Sequence, residues 1–335
     1  MRRRSAVPFL ELEMNRNATM NRLMLSVACL LLSVIANPLR GEETAPPQVA
    51  ALKASGIAVS SAKGGGFNVD IRDAKVLTEE SWARLESLGG IRKISVGAGH
   101  EFTDATLASM AGLQTLEEIF INGSAITDEG LAALARLPKL AHFGMHHGPG
   151  ALTGKGLVAL KAHAHFRSVE FGGMSGIDDR TAAFLAQLPQ LRVVKLFHTR
   201  NTRASLPQLA ALPLLESFCL NPHFEPTRIT AADIALLAPA KQLRELDLSD
   251  MVLPFEDGLA HLKALPALKK VSLEWSYYTD EDLAKLRAAL PGLEIKTGNR
   301  AGEDKLNEWN KRLRESGKKL PPAAGAGVPM HGLRP

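Results

Sequence analysis

A period of about 25 residues runs through most of the chain and constrains its fold more than any other feature. Lines broken at a threonine or its equivalent fall into register at Thr78, Thr103, Thr127, Thr153, Asp178, Thr202, Thr230, Phe255 and Thr279, at spacings of 25, 24, 26, 25, 24, 28, 25 and 24. A unit this short cannot bury an apolar face alone, so successive units must stack and share one interior. The 335 residues therefore read as one growing stack rather than as two globular cores.

Each unit has two halves with different periodicities. The first opens on Thr or Asp, often followed by an acid as in Thr127-Asp128-Glu129, which is the chemistry of a helix N-cap with acids at the positive end of the dipole. Apolar residues then recur every third position, as in Leu131, Leu134, Leu137 and Leu259, Leu262, Leu265. This pattern predicts a short helix with one buried face in each unit. Pro138, Pro189, Pro213, Pro266 and Pro291 stop it, because proline lacks the N–H and clashes with the preceding turn.

The second half reads L-x-x-L-x-L, for example Leu191-Val194-Leu196 and Leu243-Leu246-Leu248. Its alternation predicts a strand buried on one side. Strand and helix repeated in one direction force parallel strands joined by right-handed crossovers. The expected fold is an α/β right-handed leucine-rich-repeat solenoid of nine to ten repeats, strands concave and helices convex.

On these motifs the chain resembles bacterial extracytoplasmic leucine-rich-repeat proteins of the ribonuclease-inhibitor-like subclass. Thr127-Asp128-Glu129-Gly130-Leu131 matches their T-D-x-G-L opening best, and the resemblance spans residues 49–296. It departs from many such repeats in lacking the asparagine after the strand. The resemblance implies protein recognition on the concave face and no shared enzymatic activity.

The ends divide by composition. Residues 1–19 read as a leader, and 20–36 as a signal peptide whose apolar run, Leu23–Ala36, is too short to span a bilayer as a helix. Residues 37–48 are a Pro-rich linker, 49–77 a capping helix and hairpin, 78–298 the solenoid, 299–317 a C-terminal helix and 318–335 a disordered Pro/Gly/Ala tail. The signal segment predicts a secreted or periplasmic protein whose mature form does not span the membrane. Charge excludes another class of partner: the formal +5 resides at the ends, with +3 in residues 1–36 and +5 in 296–335, leaving −3 on the body. A mildly acidic body argues against nucleic-acid binding.

Outward strand positions give the candidate binding residues. One column runs through Phe120, Glu170, Lys195, Cys219 and Asp247, and the next through Asn122, His146, Phe197 and Asn221. The 28-residue step adds an insertion, Asn221–Arg228, with His223 and Phe224; Trp275 and Tyr277 follow the last full strand. Insertions in repeats map to loops on one face, and Trp and Tyr are favoured anchors. Histidines cluster in these units, yet His142 and His146 lie about 13 Å apart along one strand, too far for one ion, and His147 and His198 are two strands apart. No metal, cofactor or catalytic residue is therefore assigned. Cys219 is expected to be an outward thiol with no catalytic role, and no nucleophile elbow, zinc-protease or nucleotide motif is present.

The sequence thus predicts a non-enzymatic, monomeric scaffold for a protein partner. Attachment to a cell-wall or carbohydrate polymer of the envelope is the second reading. A metal- or thiol-dependent hydrolase around His146, His198 and Cys219 is the third.

Overall fold

The computed structural model describes residues 46–316. The expected leader, signal peptide and tail, and nearly all of the linker, lie outside the described residues. Helix α1, Pro47–Ala54, precedes an antiparallel hairpin of β1 (Ile57–Ser61) and β2 (Phe67–Asp73), with Ile57 opposite Ile71 and Val59 opposite Val69. These four side chains are buried. The hairpin thereby supplies an apolar wall for the first repeated coil.

From β2 onward the sheet is parallel and its strands lie in chain order, eleven in all among the described residues. The later strands are β3 (Ile91–Ala98), β4 (Glu118–Asn122), β5 (His142–His146), β6 (Ser168–Gly172), β7 (Val193–Phe197), β8 (Ser217–Asn221), β9 (Glu245–Asp247), β10 (Lys270–Ser272) and β11 (Glu294–Lys296). Register is set by the repeat: Ile94, Ile119, Phe143, Val169, Val194, Phe218, Leu246, Val271 and Ile295 form one row across the sheet. All but Ile295 are buried, within a single apolar cluster from Val49 to Leu286. The product is an α/β leucine-rich-repeat solenoid, with return segments closing each coil.

Those return segments depart from a helix in every unit. Short α-helices form at α2 (Glu79–Leu88), α3 (Asp104–Ala108), α4 (Asp128–Ala133), α5 (Asp179–Leu185), α6 (Leu206–Ala210) and α7 (Asp280–Ala289). Lys155–Leu160, Ala231–Leu237 and Leu259–Ala264 are 3₁₀ turns instead. The spacing of three explains the difference: side chains at i and i+3 eclipse in a 3₁₀ helix, so Leu259, Leu262 and Leu265 line up on one side without an α-helix.

The Thr-Asp pair has a second role beyond capping. Thr127 donates to Asp104 of the previous coil through its N–H at 2.8 Å and its hydroxyl at 2.6 Å. Thr153 does the same to Asp128, at 3.1 and 2.7 Å, and Thr202 to Asp179, at 2.8 and 2.7 Å. Each such aspartate ties its own helix to the cap of the next one. The glycine of the T-D-x-G motif makes room for it, since a Cβ on Gly130 would stand 2.0 Å from Asp104 Oδ1.

At the far end α8, Glu303–Glu315, folds back along the strand-to-helix edge. Trp309 and Leu313 are buried, and Trp309 packs with Phe224 and Val252 while Tyr277 and Leu306 flank them. No helix among the described residues is long and apolar enough to cross a membrane.

Candidate functional site

The edge where strands turn into return segments is the unusual part of the molecule. The coils of β4 to β10 turn this corner with a left-handed residue past the strand, and two of them use glycine there, Gly123 at φ 74° and Gly173 at φ 61°. The others place His147 (φ 53°), His198 (φ 48°), Asp250 (φ 54°) and Trp275 (φ 61°) in the same conformation. In the β8 coil Pro222 cannot adopt it, and the turn is displaced onto His223 and Phe224, at φ 56° and 50°. These six are all the non-glycine residues of positive φ among the described residues. A left-handed non-glycine residue costs about 1–2 kcal/mol, and strain of this sort concentrates at functional sites.

What the corners gain is continuity of the ladder. The N–H of His147 donates to Gly172 O at 2.9 Å, that of Gly173 to Phe197 O at 2.9 Å and that of Phe224 to Asp250 O at 2.7 Å. The backbone stays paired, and corner side chains project along one rim. The rim borders a groove of about 650 Å³ that runs from His146 and His147 past Phe197 and His198 to Asp250 and Trp275.

The groove exists because β6 ends in Gly172 and turns its corner on Gly173. A Cβ on Gly172 would lie 2.6 Å from the His146 ring and one on Gly173 2.8 Å from the His147 ring, so both imidazoles lean across the gap. His146 meets Phe120 edge-on at 4.9 Å and Phe197 at 6.3 Å between centroids. Its Nε2–H donates to Glu170 Oε1 at 3.0 Å, and Lys195 Nζ donates to Glu170 Oε2 at 3.1 Å. Burial alone would raise the Glu170 carboxyl, but the bond from His146 and the Lys195 ammonium outweigh it and hold the pKa down at about 2. His147 Nδ1–H donates to Asn122 Oδ1 at 2.8 Å.

Further along, His198 Nε2–H donates to Asp250 Oδ2 at 2.8 Å, and His223 Nδ1 lies 3.9 Å from the same oxygen. The two rings are 4.2 Å apart between centroids. Burial pushes the His223 imidazole below its ordinary range, helped by His198. Burial opposes ionisation of Asp250, and the bonds from His198 and Asn221 overcome it, leaving its carboxyl lowered. Asp247, by contrast, is raised, mainly by burial, although Ser249 donates a short hydrogen bond to it. Glu274 is paired with Lys296.

The structure gathers His146, Glu170, Phe197, Asn221, His223, Asp247 and Trp275 around the groove, with Phe120 and Asn122 touching its histidines. Lys195 and Cys219 belong to a neighbouring hollow of about 220 Å³. Two expectations need correction. Cys219 is in register between Lys195 and Asp247, as an outward residue should be, but it is only 2% exposed. Burial, with Asp247 adding, raises its thiol well above the ordinary range, so it is not an accessible nucleophile. Phe224 is only 4% exposed because α8 covers it, and Tyr277 lies in the same apolar cluster. Phe224 is thereby closed to a partner, whereas Tyr277 is half-buried. Trp275 is 56% exposed.

Sequence reasoning left His147 and Asp250 out of the candidate set and named His198 only in the hydrolase reading. The signal was present: Gly123 and Gly173 stand one residue past the strand, and a non-glycine at the equivalent corner marks a side chain held there against backbone preference.

No family model matches the chain, and no curated protein matches it in sequence. Solved structures similar to it include two internalins of Listeria monocytogenes. Internalin F is 20% identical with a TM-score of 0.41, over 65% of this chain and 57% of its own, so the chain spans little more than half of that protein's length. Internalin C2 is 20% identical with a TM-score of 0.43, over 75% of this chain and 92% of its own.

Proposed function

We propose that the protein is an extracytoplasmic recognition scaffold that binds a protein partner along the strand face and its strand-to-helix edge, without catalysis of its own. The row of strained corners carries this reading: His147, His198, Asp250 and Trp275 hold side chains on one rim at a cost in stability that glycine would avoid. An exposed Trp beside a groove of mixed polarity suits a protein partner, for which aromatic anchors within a polar surround are typical.

Site-specific photo-crosslinking tests it. A photoreactive residue placed at Phe197 or Trp275 should capture the same envelope protein, while one at the exposed return-side positions Gln114 or Gln187 should not. Equal capture from both sides, or none from the strand edge, would refute the assignment. The extracytoplasmic setting rests on the apolar run Leu23–Ala36. Fused to residues 1–45, a reporter active only after export should gain activity; an inactive reporter counts against it.

Attachment to an envelope polymer is the second reading, favoured by Trp275 standing exposed next to Glu274 at one end of the groove. It predicts that purified polymer retains the protein and that Trp275→Ala abolishes retention.

A further inference from the structure

Three corner side chains from three successive coils converge at the middle of the rim. His198 follows β7, His223 follows β8 and Asp250 follows β9, and one ligand atom from each lies within 4.8 Å of the other two. We propose that His198, His223 and Asp250 form a binding site for a divalent transition-metal ion of the zinc class. This goes beyond partner recognition and does not depend on it.

The donor set decides the class of ion. Two imidazole nitrogens and one carboxylate oxygen suit zinc, cobalt, nickel or copper, whereas calcium and magnesium require oxygen shells. At metal–ligand distances near 2.1 Å, tetrahedral ligands stand about 3.4 Å apart. The observed spread is therefore closed by small rotations about side-chain bonds, and His198 and His223 are both exposed enough to make them. Asp250 Oδ2 already stands 2.8 Å from His198 Nε2 and 3.9 Å from His223 Nδ1, beside two rings tilted at 50° with centroids 4.2 Å apart.

A second layer supports these ligands, as metal sites generally require. Asn221 is 8% exposed, its Oδ1 accepts the backbone N–H of His223 at 3.1 Å, and its side chain hydrogen-bonds Asp250. One buried side chain thus holds the Asp250 carboxylate and the backbone that carries His223. Nearby cations are already engaged: Arg312 pairs with Glu225 and Glu308, and Lys305 with Glu308. Three protein ligands leave positions open on the groove side, as in zinc sites that take a water or an external donor.

The test uses the untagged chain. Calorimetric titration with zinc chloride after chelator treatment should show one ion per chain, cobalt chloride should give visible d–d absorption, and calcium chloride should give no heat. His198→Asn, His223→Asn and Asp250→Asn retain a residue that tolerates left-handed backbone. Each should weaken zinc at least tenfold with an unchanged far-ultraviolet circular dichroism spectrum. His146→Asn, outside the set, should leave zinc affinity within twofold. The proposal is overturned if the native chain takes up less than 0.1 equivalent (a threshold of about a tenth of one site), if calcium binds as well as zinc, or if His146→Asn weakens zinc as much as the ligand variants do. It is equally overturned if the ion is held as an ordinary His198–Asp250 ion pair would predict, with no loss on His223→Asn.

Discussion

A corner residue in the left-handed region has two alternatives, glycine at little local cost or a side chain at about 1–2 kcal/mol. Trp275 is the sharpest case because it is more than half exposed and so recovers little by burial. Trp275→Gly should leave stability unchanged or raise it by up to about 1 kcal/mol, measured by urea unfolding, while partner capture at the rim falls. A loss above about 1 kcal/mol would mark Trp275 as a packing residue instead. Glu170 gives a prediction of opposite character. It faces His146 and, further along β5, His142, with Lys195 on β7 and Cys219 on β8 beyond it. Its folded pKa of about 2 lies below the ordinary 4.5, so its contribution to stability is complete above that ordinary value and is lost as pH falls toward 2. Glu170→Gln should therefore be less stable than the native chain at pH 7, and the gap should close near pH 2. A pH-independent gap would show that the ion-pair chain does not stabilise the fold. The column containing Glu170 and Lys195 was legible from period-2 alternation alone. Burial of Cys219 was not, because alternation gives direction but not whether longer neighbours close over a short side chain.

At the scale of the element, the repeat motif carries more than its periodicity reveals. The acid after Thr was readable as a dipole partner, and in α4 and α7 it does fall in the first turn. Its bond to the following coil was not readable, since only register places Asp128 beside Thr153 and Gly156. Asp128→Ala removes three hydrogen bonds and leaves the Thr153 cap unmatched, which should cost about 1–3 kcal/mol. Asp70 is exposed on β2 and ties no coil to the next, so Asp70→Ala provides an exposed-acid control expected within about 0.5 kcal/mol of the native chain. Comparable losses in the two variants would mean that general surface charge, rather than the coil-to-coil tie, is responsible. The same spacing of three that suggested helices is satisfied equally by 3₁₀ turns. Sequence could thus identify which side is buried, but not the type of turn.

For the molecule as a whole, the open question in any stack is how its last coil is closed. Helix α8 does this by reaching back to the insertion, where Arg312 donates to the carbonyls of His223 and Phe224 at 3.3 and 3.4 Å while Trp309 covers Phe224 and Val252. The insertion that sequence reading marked as a binding loop is therefore partly a socket for the C-terminus, and its amphipathic fit required knowing where the helix goes. Because stability in a stack is transmitted between neighbours, loss of this clasp should act locally. Trp309→Ala leaves a cavity over Phe224 and should cost about 3 kcal/mol. Its effect on hydrogen exchange should be graded: faster in the β8 to β10 corners and unchanged in β3 to β5, where the hairpin and the first coils hold each other. Uniform loss of protection along the chain would mean that the solenoid unfolds as a single unit and that α8 stabilises all of it. Protection lost only within α8 would mean that the socket keeps its shape without the helix.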